Sequence, residues 1–169
     1  MPSRSEIRGH YGDDKLTNRI SKTFGYYGWA DRLGLKMKNS DTQTGKIGET
    51  MAREKLETMG FCVEHMPQNY PYDLFVNGCV KVDVKFSTLC ETVGGDKFFS
   101  FRLQKERPTC DIYIMIACGI ENQRQWYIVP SREVQQKQVS IGEQNSVYDR
   151  FIDRFDIITA YEEAFRSAI

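Results

Sequence analysis

The 169-residue sequence predicts a three-layer α/β domain with a helical addition at its N-terminus. Three observations predict it. Up to Gly60 apolar residues recur every three or four positions, the spacing of helices packed on one face. From Phe61 the period changes to two, the spacing of strands. An unbroken apolar run over 111–118 then reads as a strand buried on both sides.

Taken in order, the first dozen residues, with Pro2, Ser3, Ser5, Gly9 and Gly12, read as a loose arm. Over 14–35, Leu16, Ile20, Phe24, Tyr27, Ala30 and Leu33 mark two short helices meeting near Gly25 and Gly28. Basic residues lie between them, so a helix-turn-helix and a helical cap on the core both remain open. Residues 38–45 are polar and turn-like, and Asp41, Thr42 and Thr44 offer helix caps. A helix then runs to Met59, with Ile47, Met51, Ala52, Leu56 and Met59 as its expected buried stripe and Gly60 as its stop. Strands are predicted over 61–65, 72–76, 79–87, 97–103, 111–118 and 126–129, with Asn77-Gly78 as a tight hairpin turn. Helical patterns resume over 131–137, 147–154 and 159–168. A helix, an antiparallel meander and then mixed elements make a layered α/β domain. The expected division is 1–43 for the arm and helical addition, and 44–169 for the core.

Composition narrows the function classes. The length suits one domain able to bury a core without metals or disulfides. The chain has 23 basic and 23 acidic residues, so no global field points to a polyanion. The distribution is uneven: residues 1–48 carry net +4 and residues 49–169 net −4. A basic entry region fits phosphate contact, and fits a solvated helix pair nearly as well. The five cysteines lack CxxC spacing, and only His10 and His65 could supplement them, which argues against a zinc cage. Reduced thiols, no secretory signal and no apolar run near bilayer length lead us to expect a cytoplasmic protein with no membrane partner.

The chemistry is concentrated in 72–85. In the second strand of the hairpin Val80, Val82, Val84 and Phe86 alternate with Lys81, Asp83 and Lys85. A two-residue period sends the apolar side chains to one face and the three charges to the other. Asp83 and Lys85 are then neighbours, roughly 7 Å apart along the strand. The partner strand brings Asp73 near Asp83 if the register cooperates. Two converging carboxylates repel unless a positive charge lies between them. Mg²⁺ takes such a pair together with waters and phosphate oxygens, and the backbone carbonyl of Val84 is a further candidate ligand. Such a site can cleave a phosphodiester, because the cation polarises the phosphoryl group and holds the attacking water. Lys85 would orient that water, deprotonate it or stabilise the pentavalent phosphorus; the sequence leaves these open. The plain alternative is a solvated cross-strand ion pair worth under about 1 kcal/mol. A strand otherwise made of Val and Phe looks buried, where unpaired charges need a reason.

With these residues in place, the sequence resembles the PD-(D/E)XK nuclease superfamily. The motif reads Asp73, a nine-residue gap, then Asp83-Val84-Lys85; the usual Pro is Tyr72 here, with Pro71 one place earlier. Gly45-Lys46-Ile47-Gly48-Glu49 is similar to the family's helix preceding the first core strand. The resemblance implies that Glu49 binds a second metal or a metal-bound water; alternatively, Glu49 only offsets the helix dipole. Cys110-Asp111-Ile112-Tyr113 resembles the next core strand, whose Asp is structural, and Trp126-Tyr127-Ile128-Val129-Pro130-Ser131 resembles the edge strand of resolvase-like and intron-encoded members. The likeness covers about residues 45–135. It implies a restriction-endonuclease-like αβα core with a central mixed sheet. It also implies a Mg²⁺-dependent DNA endonuclease (Mn²⁺ substituting) with Glu49, Asp73, Asp83 and Lys85 catalytic and Asp73, Asp83, Val84 and Glu49 as metal ligands.

Lys15, Arg19, Lys22, Arg32, Lys36, Lys38, Lys46 and Ser87 are the candidate DNA contacts, and a homodimer is expected because cutting both strands with one small site calls for two copies. Site-specific cleavage of duplex DNA, of restriction or homing type, is the first reading. Holliday-junction resolution or repair is the second. Readings from other classes are an inactive DNA-binding module with the same fold and a purely structural ion-pair network. His65, alone at a strand end, reads as structural, and Tyr26, Tyr27 and Trp29 read as core packing rather than base stacking.

Overall fold

A computed structural model describes residues 1–35, 41–68, 70–103, 108–142 and 145–168. The chain divides into two compact units, 1–41 and 42–169.

In the first unit the arm is helical. Helix α1 (Arg4–Tyr11) starts on a capping box: the Ser3 hydroxyl accepts from the Glu6 N–H, and Glu6 accepts from the Ser3 N–H at 2.8 Å. That reciprocal pair satisfies free amide donors at the helix start. Gly12, at φ +74°, ends the helix. Helices α2 (Lys15–Lys22) and α3 (Gly25–Arg32) follow, so the described residues of the unit hold three helices where two were expected. Ile7, Thr17, Ile20 and Ala30 are its buried side chains, while Leu16, Phe24, Tyr27 and Leu33 of the expected stripe are exposed. None of the described helices is long and apolar enough to cross a membrane.

The second unit opens with α4 (Asp41–Thr58), which stops at Gly60 with φ +92°. Its buried face is Gly48, Ala52 and Leu56, a spacing of four. Ile47 and Met59, expected in that stripe, are about half exposed. The shift has a local cause: a Cβ on Gly48 would lie 2.8 Å from the Phe86 Cβ, so the helix seats on the sheet where it has no side chain.

Five strands make the central sheet: β1 (Val63–His65), β2 (Leu74–Val76), β3 (Val80–Thr88), β6 (Ile112–Cys118) and β7 (Arg124–Pro130), in the order β1-β2-β3-β6-β7. β3 and β6 are parallel and the other pairs antiparallel, so the sheet is mixed. The β2–β3 hairpin turns on Asn77 and Gly78, both left-handed at φ +49° and +69°, as a two-residue turn demands. β4 (Cys90–Glu91), β5 (Lys97–Arg102) and β8 (Gln138–Gly142) form a second sheet in the order β4-β5-β8.

One face of the central sheet carries Val82, Val84, Ile114 and Ile128 under Ala52 and Leu56 of α4 and Ile158 of α5 (Asp156–Ser167). The other carries Tyr113, Met115, Tyr127 and Val129 against Phe99, Phe101, Val139 and Ile141 of the small sheet. β6 is therefore covered on both faces, and six of its seven residues are buried. The chain therefore has a layered α/β fold around a mixed sheet, with a sheet rather than helices filling one outer layer.

Two expected helices are absent. Residues 131–137 make only a 3-10 turn, Ser131–Glu133, because Val139 and Ile141 draw the chain into β8 against β5. Residues 147–154 hold a second such turn, Asp149–Phe151, where Ile152 bridges to Tyr127 and Asp153 turns left-handed at φ +53°.

Candidate functional site

The charged residues of the hairpin come together as their alternation requires. The register Leu74↔Val82 sets Asp73 at the level of Asp83 across β2 and β3. Asp73 is anchored by its backbone and its side chain. Its N–H donates to the Val82 carbonyl at 3.0 Å, and its Oδ2 accepts from the Val84 N–H at 2.7 Å. Lys85 Nζ lies 2.6 Å from Asp83 Oδ2, with side-chain exposures of 25% and 14%. Burial pushes the Asp83 carboxyl up to about 6; Lys85 pulls the other way, and the hydrogen-bonded Asp73 carboxyl adds to the rise. A carboxyl so perturbed beside a specific charged partner marks a candidate functional site.

Beneath the pair lie two neutral acids. The Cys110 thiol is pushed up to about 12, mainly by burial and then by Asp83, and burial also raises the Tyr113 phenol. Asp111 plays no part in the cluster: its Oδ2 accepts from the Lys81 N–H at 2.8 Å and ties the start of β3 to β6.

Asp73 also lines a cleft of about 540 Å³ with Lys46, Glu49, Thr50, His65 and Gln68. Glu49 projects into it from α4, and its Oε2 meets His65 Nε2 at 2.9 Å. Sequence reasoning set His65 aside as structural. Its position was nonetheless recoverable, since a residue ending β1 must fall beside the start of β2, next to Asp73.

Among the described residues no group of three or more His, Cys, Asp or Glu side chains could hold a metal ion. What is present is an Asp73–Asp83 pair with Lys85 beside it and Glu49 across the cleft on His65. That donor set fits a hard divalent cation that keeps most of its waters and takes one or two carboxylates. It does not fit a structural zinc site.

Of the candidate DNA contacts, Lys46 is exposed in the cleft. Lys15, Arg19, Lys22 and Arg32 are exposed on the first unit; Lys15 lies 3.4 Å from Asp13, and the Arg32 guanidinium sits 3.7 Å over the Phe24 ring. Lys36 and Lys38 lie outside the described residues. Ser87 is a correction. It is buried, and its hydroxyl donates to the Thr88 carbonyl and accepts from the Ser100 N–H, so it presents nothing to a phosphate.

No protein-family model matches the chain. No match is found among curated proteins either. Among solved structures, the chain is similar to a bacterial homing endonuclease, I-Ssp6803I, with a TM-score of 0.62 and 18% sequence identity over 78% of this chain and 100% of that one. That likeness shows the fold.

Proposed function

We propose that this protein is a metal-dependent DNA endonuclease of the PD-(D/E)XK type. The observation that carries the reading is the convergence of Asp73 and Asp83, with Lys85 Nζ 2.6 Å from Asp83, on one buried hairpin. A stability role is a poor reason for such a cluster, because ion pairs removed from water return little net stability. The fold shared with a homing endonuclease supports DNA as the substrate.

Asp73 and Asp83 would hold the cation, with the Val84 carbonyl beside them, and Glu49 would act from across the cleft. Bound there, Mg²⁺ supplies Lewis-acid activation of the phosphodiester. The residues of the chain do the positioning. The Val84 N–H fixes the rotamer of Asp73 by holding its Oδ2. Lys85, attracted to the carboxylates, presents its ammonium where charge builds on the phosphorus oxygens. Lys46 provides a positive charge at the cleft wall for the phosphate backbone. Site-specific cleavage of duplex DNA by a homodimer is the finer reading, with the 1–41 helices as its recognition element. Junction resolution is the second.

Incubation of the protein with supercoiled, linear and four-way-junction DNA, with Mg²⁺ or EDTA, tests the reading. Metal-dependent cleavage is expected, with Lys85→Ala slower by at least about 100-fold. The preferred substrate separates site-specific cutting from junction resolution. Binding without cleavage of any substrate would leave an inactive DNA-binding module.

A further inference from the structure

The Glu49–His65 hydrogen bond joins two parts of the molecule that the proposed chemistry needs held together. Glu49 rides on α4, one residue after Gly48, where the helix presses against Phe86 of β3. His65 ends β1, and β1 is locked to the hairpin: His65 pairs with Leu74, and the next residue, Met66, donates its N–H to the Asp73 carbonyl at 2.8 Å. The imidazole therefore connects the helix that carries one carboxylate to the strand that carries another. Both side chains border the same cleft as Asp73. The pair is 24% exposed at Glu49 and 46% at His65, and an ion pair that exposed contributes under about 1 kcal/mol to stability. Its use is geometric. A glutamate has three rotatable torsions, and one hydrogen bond to Oε2 removes most of that freedom. Among the described residues no hydrogen bond to Glu49 Oε1 accompanies the one to Oε2, and the side chain borders the cleft.

We propose that His65 is a positioning residue: its Nε2–H, bonded to Glu49 Oε2, holds the Glu49 carboxylate in the cleft that Asp73 also lines. This rests on the nuclease reading and adds to it a residue outside the Asp-Asp-Lys motif. The imidazole touches neither the reacting phosphate nor the water; it acts through Glu49.

The test uses the full chain with His65→Ala, His65→Gln and Glu49→Gln, all with Mg²⁺ and the best-cleaved DNA. Gln carries an amide N–H near the position of His Nε2, whereas Ala carries no donor there. Loss of the bond is expected to lower kcat about 10- to 100-fold with KM changed less than threefold, as removal of an orienting partner does. His65→Gln is expected to recover most of the rate. A readout independent of cleavage is the ¹⁵N spectrum of the His65 ring, which should report the Nε2–H form in the parent and a shifted resonance in Glu49→Gln. Full activity in His65→Ala overturns the proposal, as does His65→Gln as slow as His65→Ala, or a ring resonance unmoved by Glu49→Gln. In any of these cases cleavage by the parent leaves the nuclease reading standing. A parent that cleaves nothing overturns that reading, and the positioning role of His65 falls with it.

Discussion

At the scale of single residues the site is a problem of charge removed from water. Asp83 is the most perturbed carboxyl described, and its folded value of about 6 lies above its ordinary 3.8. The folded state therefore holds this proton more tightly than the unfolded chain does. Stability from that source is complete below about pH 4 and is lost as pH rises through 6 in metal-free protein. The gap corresponds to about 3 kcal/mol. Urea unfolding in EDTA at pH 5 and pH 8 should show the parent losing stability between the two and Asp83→Asn losing much less. Equal losses would mean that Asp83 is not the strained group. This hairpin was legible in the sequence because Val80, Val82 and Val84 alternate with charges and Asn77-Gly78 prescribes the turn. The place of His65 beside Asp73 was recoverable from strand order, but its bond to Glu49 was not, because that partner lies 16 positions away on a helix. Ser87 was misread for a similar reason: its burial depends on Ser100, from a different strand.

At the scale of elements, the seating of α4 on the sheet sets where Glu49 points. Gly48 makes that seating possible, and Gly48→Ala sets two effects against each other. Alanine favours the helix by about 1 kcal/mol. The added methyl, 2.8 Å from the Phe86 Cβ, costs about 1–3 kcal/mol in displaced packing. The packing term wins, so the variant should have a lower urea midpoint than the parent; a higher midpoint would show that helix and sheet can separate freely. Periodicity located α4 and its end at Gly60, yet rotated its buried face, since Ile47 and Met59 are as apolar as the residues that do face inward. β8 escaped detection altogether. Its neighbours Ser131–Glu133 looked helical by spacing, and only the pairing with β5 makes Gln138–Gly142 a strand.

For the whole molecule, residues 1–48 carry a basic excess and residues 49–169 an acidic one, and the proposed DNA contact through the first unit is testable on that basis. Arg19 and Lys22, in the last turn of α2, are exposed cations suited to phosphate contact. If each neutralises one phosphate, removing both should flatten the slope of log K against log salt by about 1.8. Filter binding from low to high salt would measure it, and an unchanged slope would place the DNA elsewhere. The topology was the least legible feature. The meander from β1 to β3 follows from short turns, but the parallel pairing of β3 with β6 needs a crossover, and β5 of the small sheet pairs with β8, some forty residues away. By itself the sequence determined which residues alternate on β3, where α4 stops, how the hairpin turns and that two aspartates and a lysine share one hairpin. Those features arise from backbone period and turn stereochemistry, which act over a few residues. The tertiary structure alone decided that Asp83 is largely removed from water, that Glu49 meets His65 and that a sheet covers the second face. Burial and contact depend on elements distant in the chain, and several apolar or polar residues there are equally competent until packing selects among them.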